Sequence, residues 1–386
     1  MKKLNRNCPI CKNESGEVLH EQKFVLDDKN PLPDQYDVVC CSQCSFIYAD
    51  VDATQEDYNK YYEDFSKYES IEVSSGGGTT PWDLERLLET ANDIMNYIPK
   101  KDAKILDIGA AMGGLLNILQ QNGYEKLYAL EPSKTCVSYM KNEYKLNAYC
   151  GSVLDNFNNI FGNEKFDFVI LSHVFEHIYD LQKAILNIKS LLSERGAVYI
   201  EVPDSSRYYD FYVVPYYYFD IEHINHFSEF SLTALLSNYG FKSKISKEKS
   251  MPVSENIKYP ALFSIFELNT KSKYSINKYI DKSKKKSKNN RLDELISSQE
   301  ECVVWGAGSF TKRLLAQSNL RECNIKYFID KDNTKQEKFM DNVKVVSPKI
   351  LESFSGTIII ASALFSSEIV AEIKNSGLKN KTITVG

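Results

Sequence analysis

The sequence predicts an α/β chain built on a doubly wound parallel sheet, with a smaller unit at each end. Three observations predict it. Four apolar, β-rich runs between Ile105 and Val202 each end in small or polar residues and are followed by helical stretches. Two of the strand ends in the chain open into glycine turns, at Gly109 and at Gly306. Two pairs of cysteines stand near the amino terminus at metal-knuckle spacing.

The first run is Ile105-Leu-Asp-Ile-Gly-Ala-Ala-Met-Gly-Gly114. It reads as a strand, a glycine turn and a helix start. Gly109 and Gly113 let the backbone come close to a ligand and take positive φ where a turn requires it. Asp107, at the strand end, is placed to meet a cationic group. A glycine turn of this kind also holds phosphates at a helix amino terminus, and a tight turn with no ligand is common. The second run, Leu127-Tyr-Ala-Leu-Glu-Pro132, ends on Glu131, 24 residues after Asp107. A carboxylate at that distance can accept hydrogen bonds from both hydroxyls of a ribose. The alternative for Glu131 is a solvated carboxylate at a strand end. The third strand end is Cys150-Gly151-Ser-Val-Leu-Asp155, and the fourth run is Phe166-Asp-Phe-Val-Ile-Leu-Ser-His-Val-Phe-Glu-His-Ile178. Ala197-Val-Tyr-Ile-Glu-Val202 closes the series.

Taken together, the order and spacing of these motifs resemble class I S-adenosylmethionine (SAM) dependent methyltransferases. The resemblance implies that Asp107, Gly109 and Gly113 lie against the cofactor and that Glu131 and Pro132 border its ribose. It places Ser152 and Val153 at adenine, and Ser172 and His173 beside the methionine part. Bland packing at the core edge is the other reading of His173. The family pattern usually carries glycine where this chain has Ala111.

The amino-terminal cysteines are Cys8-Pro-Ile-Cys11 and Cys40-Cys-Ser-Gln-Cys44. Two Cys-x-x-Cys knuckles at that separation read as a structural zinc site, with Cys8, Cys11, Cys41 and Cys44 closing a tetrahedron. Cys40 is the alternative ligand, but Cys41 gives the knuckle spacing with Cys44. Four thiolates leave no open position, so no chemistry is expected there. The Met-Lys-Lys-Leu-Asn start has no signal-peptide pattern, and the four remaining cysteines are scattered. Both features favour reduced thiols and a cytoplasmic setting over disulfides.

A four-cysteine module, a SAM domain and a further α/β domain in one chain resemble the sugar C-methyltransferase family. Cys41-Ser-Gln-Cys-Ser-Phe-Ile-Tyr48 matches its second knuckle and following strand. Tyr61-Tyr-Glu-Asp-Phe-Ser-Lys-Tyr-Glu-Ser70 is similar to the segment leading into its SAM domain, which makes Tyr68 a cofactor-binding candidate. The resemblance implies a nucleotide-activated sugar or a similar small polar metabolite as acceptor, in bacterial-type polysaccharide or secondary-metabolite biosynthesis.

After Pro203 the chain is dense in aromatics and reaches Asp220-Ile-Glu-His-Ile-Asn-His-Phe-Ser228. Two of the five histidines lie three residues apart here. Histidine moves protons near neutral pH, and tyrosines give a sugar or base ring flat walls. Aligned on His-Phe-Ser, the family's catalytic histidine falls on His226, its glutamate on Asn225 and its tyrosine on His223. Those two replacements depart from the C-methylation pattern. Glu222 and His223 hydrogen-bonded within a loop is the bland alternative.

The chain has 386 residues, room for two or three domains. Expected boundaries are 1–70 for the zinc module, 71–250 for the SAM domain, and 251–386 for a linker helix and a Rossmann-like domain. Net charge is −5 and no apolar run approaches ~20 residues, so neither nucleic acid nor membrane is an expected partner. A monomer or homodimer is expected. Lys271 to Asn290 holds eight lysines and one acid, read as a solvated connection. From Cys302 a second α/β unit begins, Cys302-Val-Val-Trp-Gly-Ala-Gly-Ser309, followed by Ile325–Asp330 and Gly356–Ser362. Gly306 and Gly308 border either a nucleotide-like substrate or an empty turn. A dinucleotide-binding oxidoreductase or sensor built on that turn is the rival function. Against it, Thr311 or Lys312 stands where a third glycine belongs.

Overall fold

The structure is a computed structural model that describes residues 2–64, 76–287 and 290–385. It divides into two compact units, Met1–Asn269 and Thr270–Gly386.

The first unit opens with short antiparallel strands: β1 (Lys2–Lys3), β2 (Ser15–Lys23), β3 (Gln35–Cys41) and β4 (Ile47–Asp50). A sheet this small buries little apolar surface alone. It is joined to the main body by packing: Phe46 lies 5.2 Å from Phe227, ring centre to ring centre, and Phe227 lies 6.3 Å from Phe175. Cys8, Val39, Phe46 and Tyr48 share one hydrophobic core with Leu106, Val169 and Phe175. Helix α1 (Gln55–Asp64) follows.

Helix α2 (Pro81–Met95) starts where Thr80 accepts from the Asp83 N–H and Pro81 presets the first turn. Its buried Leu87, Ala91 and Ile94 recur at helical spacing. Then come β5 (Lys104–Ile108), α3 (Gly114–Gln121), β6 (Lys126–Glu131), α4 (Lys134–Glu143), β7 (Asn147–Cys150), α5 (Phe157–Phe161), β8 (Phe166–Ser172), α6 (Leu181–Leu191) and β9 (Leu192–Pro203). Strands β5 to β9 are parallel; β5, β6, β8 and the second half of β9 are largely apolar and buried, as strands covered on both faces are, while edge strand β7 buries only Ala148.

After β9 the chain forms β10 (Asn225–His226), α7 (Glu229–Asn238) and the hairpin β11 (Phe241–Ser254) with β12 (Ile257–Leu268). The sheet order is β11-β12-β9-β8-β5-β6-β7, with β12 antiparallel to β9. A boundary at 250 falls inside this hairpin, whose second strand pairs with β9 over seven residue pairs. Strand order reverses between β5 and β8, and a doubly wound sheet opens its ligand crevice outside the carboxyl ends at such a point. Strand β10 belongs elsewhere: it pairs with β4 and completes the amino-terminal sheet.

The second unit begins with α8 (Lys271–Ser287), which has no buried residue, and α9 (Asn290–Ser298). Strand β13 (Cys302–Trp305), α10 (Ser309–Gln317), β14 (Ile325–Ile329), β15 (Phe339–Met340), β16 (Val343–Val346), β17 (Thr357–Ile360), α11 (Ser366–Asn375) and β18 (Thr382–Thr384) follow. They form a sheet in the order β15-β16-β14-β13-β17-β18, parallel except at β15. Among the described residues no helix is long and apolar enough to cross a membrane.

Candidate functional site

The glycine turn joins β5 to α3. Gly109 has φ 74°, and a Cβ there would meet Val174 at 2.7 Å; Gly113 has φ 77°, and a Cβ would meet Met140 at 2.6 Å. Ala111, at the position where glycine was expected, also has positive φ, 47°. The conformation is kept although the residue departs. Glu131 explains how: its Oε2 accepts from the Ala111 N–H at 2.9 Å, and its Oε1 accepts from the Ser133 N–H at 3.0 Å. Burial pushes the Glu131 carboxyl up, while these two N–H donors hold it down. Each oxygen keeps a second lone pair for a further donor. Asp107 is buried beside it, and burial, with the nearby Glu131, pushes its pKa up to about 8.

Pro132 is exposed next to this carboxylate. At the end of β7, Ser152 and Val153 open a turn in which the Ser152 N–H donates to Asp155 at 2.7 Å, and Val153 is buried. The structure thus brings Asp107, Gly109, Gly113, Glu131 and Pro132 to adjoining strand ends, with Ser152 and Val153 one strand further out. Tyr68 lies outside the described residues.

His173 follows β8 with φ 56°. Its Nδ1 donates to Glu176 at 2.9 Å, and its Nε2 donates to the Tyr259 hydroxyl at 2.7 Å with Glu201 at 3.3 Å. Burial alone would lower its pKa; the two carboxylates outweigh that and raise it to about 9. Glu201 is fully buried, yet it also accepts from Ser172 (2.9 Å), Tyr199 (2.6 Å) and Lys249 (2.8 Å). Burial pushes it up, but His173 and Lys249 prevail and hold it well below the carboxylate range. The sequence reading missed this network. Its one visible signal was a glutamate inside the apolar run Ala197–Val202; Lys249 and Tyr259 gave none.

The segment after β9 is clamped to the turn Phe175–His177. The Ile224 N–H donates to the Glu176 carbonyl at 2.9 Å, and His177 Nδ1 donates to the Glu222 carbonyl at 3.1 Å. The Asn225 amide donates to the Phe175 and Ile178 carbonyls and accepts from Arg6 at 3.0 Å. Its polar atoms thus tie the amino-terminal sheet to this turn. His226 is buried, with Tyr208 and Phe219 rings edge-on; burial lowers its pKa to about 3, and its Nε2 has no hydrogen-bond partner among the described residues. His223 packs edge-on against His177 at 4.7 Å, and burial, with His177, lowers its pKa to about 4. Both imidazoles are neutral at pH 7 in this structure.

Two of the Cys8, Cys11, Cys41 and Cys44 sulfur pairs stand at 3.5 Å, Cys8 with Cys44 and Cys11 with Cys41, and all four lie within 4.8 Å of one another. A tetrahedron with ~2.3 Å metal–sulfur bonds has edges of about 3.8 Å. A disulfide would need about 2.05 Å. The cluster is compatible with a small zinc module. Cys40 is not part of it.

In the second unit Asp330 accepts from the Ala307 N–H at 3.0 Å and from Lys335 at 2.9 Å. Thr311, in place of a third glycine, is buried and donates to the Gly306 carbonyl. A shallow charged depression with Lys100, Lys104, Lys126 and Glu164 lies at the amino ends of the first unit's strands, opposite the glycine turn.

Residues 83–244 match the family model described as "Methyltransferase domain". The centre of this chain has the class I methyltransferase α/β fold. Residues 298–384, in the second unit, match "C2185-like, N-terminal". The methyltransferase match falls on the first glycine turn, which argues against the oxidoreductase reading. Mitochondrial ubiquinone biosynthesis O-methyltransferase of Dictyostelium discoideum is 25% identical over 116 residues, 27% of this chain and 36% of that protein. The chain therefore spans about a third of that relative's length. A SAM-dependent methyltransferase from Archaeoglobus fulgidus is 18% identical with a TM-score of 0.37, over 47% of this chain and 94% of that one. The N-methyltransferase NodS from Bradyrhizobium japonicum WM9 is 14% identical with a TM-score of 0.37, over 50% and 98%. At these scores the two solved structures add nothing to the argument for the methyltransferase domain.

Proposed function

We propose that this chain transfers a methyl group from SAM to a nucleotide-activated sugar or a similar small polar metabolite. The observation that carries the cofactor reading is the Glu131 carboxylate. It is buried at the end of β6, fixed by two backbone N–H groups, and retains lone pairs toward the crevice where the family holds a ribose. The residues present fit SAM: Asp107 for its cationic methionine end, Gly109 and Gly113 for close backbone approach, Pro132, Ser152 and Val153 for the ribose and adenine side. His173 fits the methionine side through its backbone, because its ring is already committed to Glu176, Tyr259 and Glu201.

Bound SAM supplies an electrophilic methyl on a sulfonium. The protein's part is to hold an acceptor in line with that methyl and to exclude water, which is worth several orders of magnitude in rate. His223 lies in the segment after β9 and is neutral, so in the metal-free chain it is the base this structure offers most directly. His226 keeps the family position but is walled by Tyr208 and Phe219. Asn225 positions the segment rather than touching the acceptor. Cys8, Cys11, Cys41 and Cys44 would hold one zinc that staples the amino-terminal sheet.

The test is methyl transfer from labelled SAM to a panel of nucleotide sugars and their free sugars. Label incorporated into one class identifies the acceptor. No incorporation into any, with SAM bound, would overturn the sugar assignment.

A further inference from the structure

We propose a second metal site in the first unit, formed by Glu176, His177 and His223, for a divalent transition metal such as Mn2+, Fe2+ or Zn2+. One ligand atom from each residue lies within 4.8 Å of the others. Ligands on one face of such an ion, at 2.0–2.2 Å, stand about 3–3.4 Å apart.

The backbone builds this arrangement. Glu176 and His177 are neighbours in one tight turn, and the Ile224 N–H bond to the Glu176 carbonyl brings His223 onto it. The Asn225 amide fixes the same two segments through the Phe175 and Ile178 carbonyls.

Two of the three ligands also carry the outer partners that metal ligands require. Because a carbonyl oxygen only accepts, the Glu222 carbonyl fixes the proton of His177 on Nδ1 and leaves the lone pair on Nε2. Glu176 spends Oε1 on His173 at 2.9 Å. Its Oε2 is buried and has no hydrogen-bond partner among the described residues. A buried carboxylate oxygen left without a donor is costly, and native structures seldom keep one. A cation between Glu176 and the two imidazoles removes that cost.

Two nitrogens and one oxygen leave positions for oxygen donors, unlike the closed four-cysteine cluster. That the open face meets the acceptor rests on the proposed methyltransferase reading; metal binding itself does not.

The test is Mn2+ titration of full-length chain that carries one zinc per chain, enough for the cysteine cluster alone, read as loss of the free-ion spin-resonance signal. Mn2+ avoids thiolate sites, so it reports the histidine and carboxylate donors. The expected result is one saturable site, weakened at least tenfold in His223→Ala and in Glu176→Gln and unchanged in Cys44→Ser. If Glu176→Gln fails to fold, His223→Ala, on a half-buried loop residue, decides alone. No saturable binding, or binding unchanged in His223→Ala, overturns the site. S-adenosylhomocysteine added to the same samples separates the two readings. S-adenosylhomocysteine bound by a chain that shows no saturable Mn2+ site refutes the metal and keeps the methyltransferase. Mn2+ bound without it keeps the metal and refutes the acceptor-side assignment.

Discussion

The Oε2 of Glu131 accepts the N–H of Ala111 at 2.9 Å, across the turn between β5 and α3. One carboxylate thus holds the loop and, through its other oxygen, the start of α4 at Ser133. The bond also explains how a residue with a Cβ is kept at φ 47°.

Ala111→Gly should therefore stabilise the chain by about 1 kcal/mol, the usual cost of a left-handed L-residue, less the added freedom of glycine when unfolded. Denaturant titration checks it. A loss of stability would mean that the Ala111 methyl contributes more than its backbone costs.

Asp107 carries a pKa raised to about 8 by burial and by Glu131. The folded chain then binds a proton that the unfolded chain releases near pH 4, so this group weakens folding as pH climbs from about 4 to 8. Asp107→Asn should raise the melting temperature of the ligand-free protein at pH 8, with the gain shrinking toward pH 5. It should also weaken S-adenosylhomocysteine. A gain that does not vary with pH would contradict the assignment.

Lys249 and His173 are the cations that hold fully buried Glu201 ionised. Removing one partner of a buried pair typically costs about 3–5 kcal/mol. Lys249→Met should lose that much in urea unfolding, and adding Glu201→Gln should restore part of it. Additive losses would show that the two groups are not coupled.

Much of the fold was legible because parallel strands buried on both faces read as apolar runs, and the turns after them carried glycine or an acid. The crevice residues Asp107, Gly109, Gly113 and Glu131 follow from the same rule. What was not legible depends on distant pairing. Two residues, Asn225 and His226, form a strand with Tyr48 and Ile47 of β4, far earlier in the chain, and no local pattern in so short a strand announces it. The Glu176–His177–His223 cluster likewise exists because long-range hydrogen bonds join residues 175–178 to residues 222–225. The hairpin β11–β12 brings Lys249 and Tyr259 to Glu201 by sheet order alone.

The four-cysteine cluster should hold one zinc per chain. Elemental analysis of protein prepared without added metal should find it, and Cys44→Ser should lose it together with several degrees of melting temperature. A disulfide among Cys8, Cys11, Cys41 and Cys44 in protein taken from reduced cells would contradict the zinc.

Calorimetry with S-adenosylhomocysteine tests the central claim most directly. One site per chain is expected, weakened about 10–100-fold in Glu131→Ala, as the loss of hydrogen bonds from two hydroxyls to a carboxylate requires. No binding to the parent chain, or an affinity unchanged in that variant, would contradict the account.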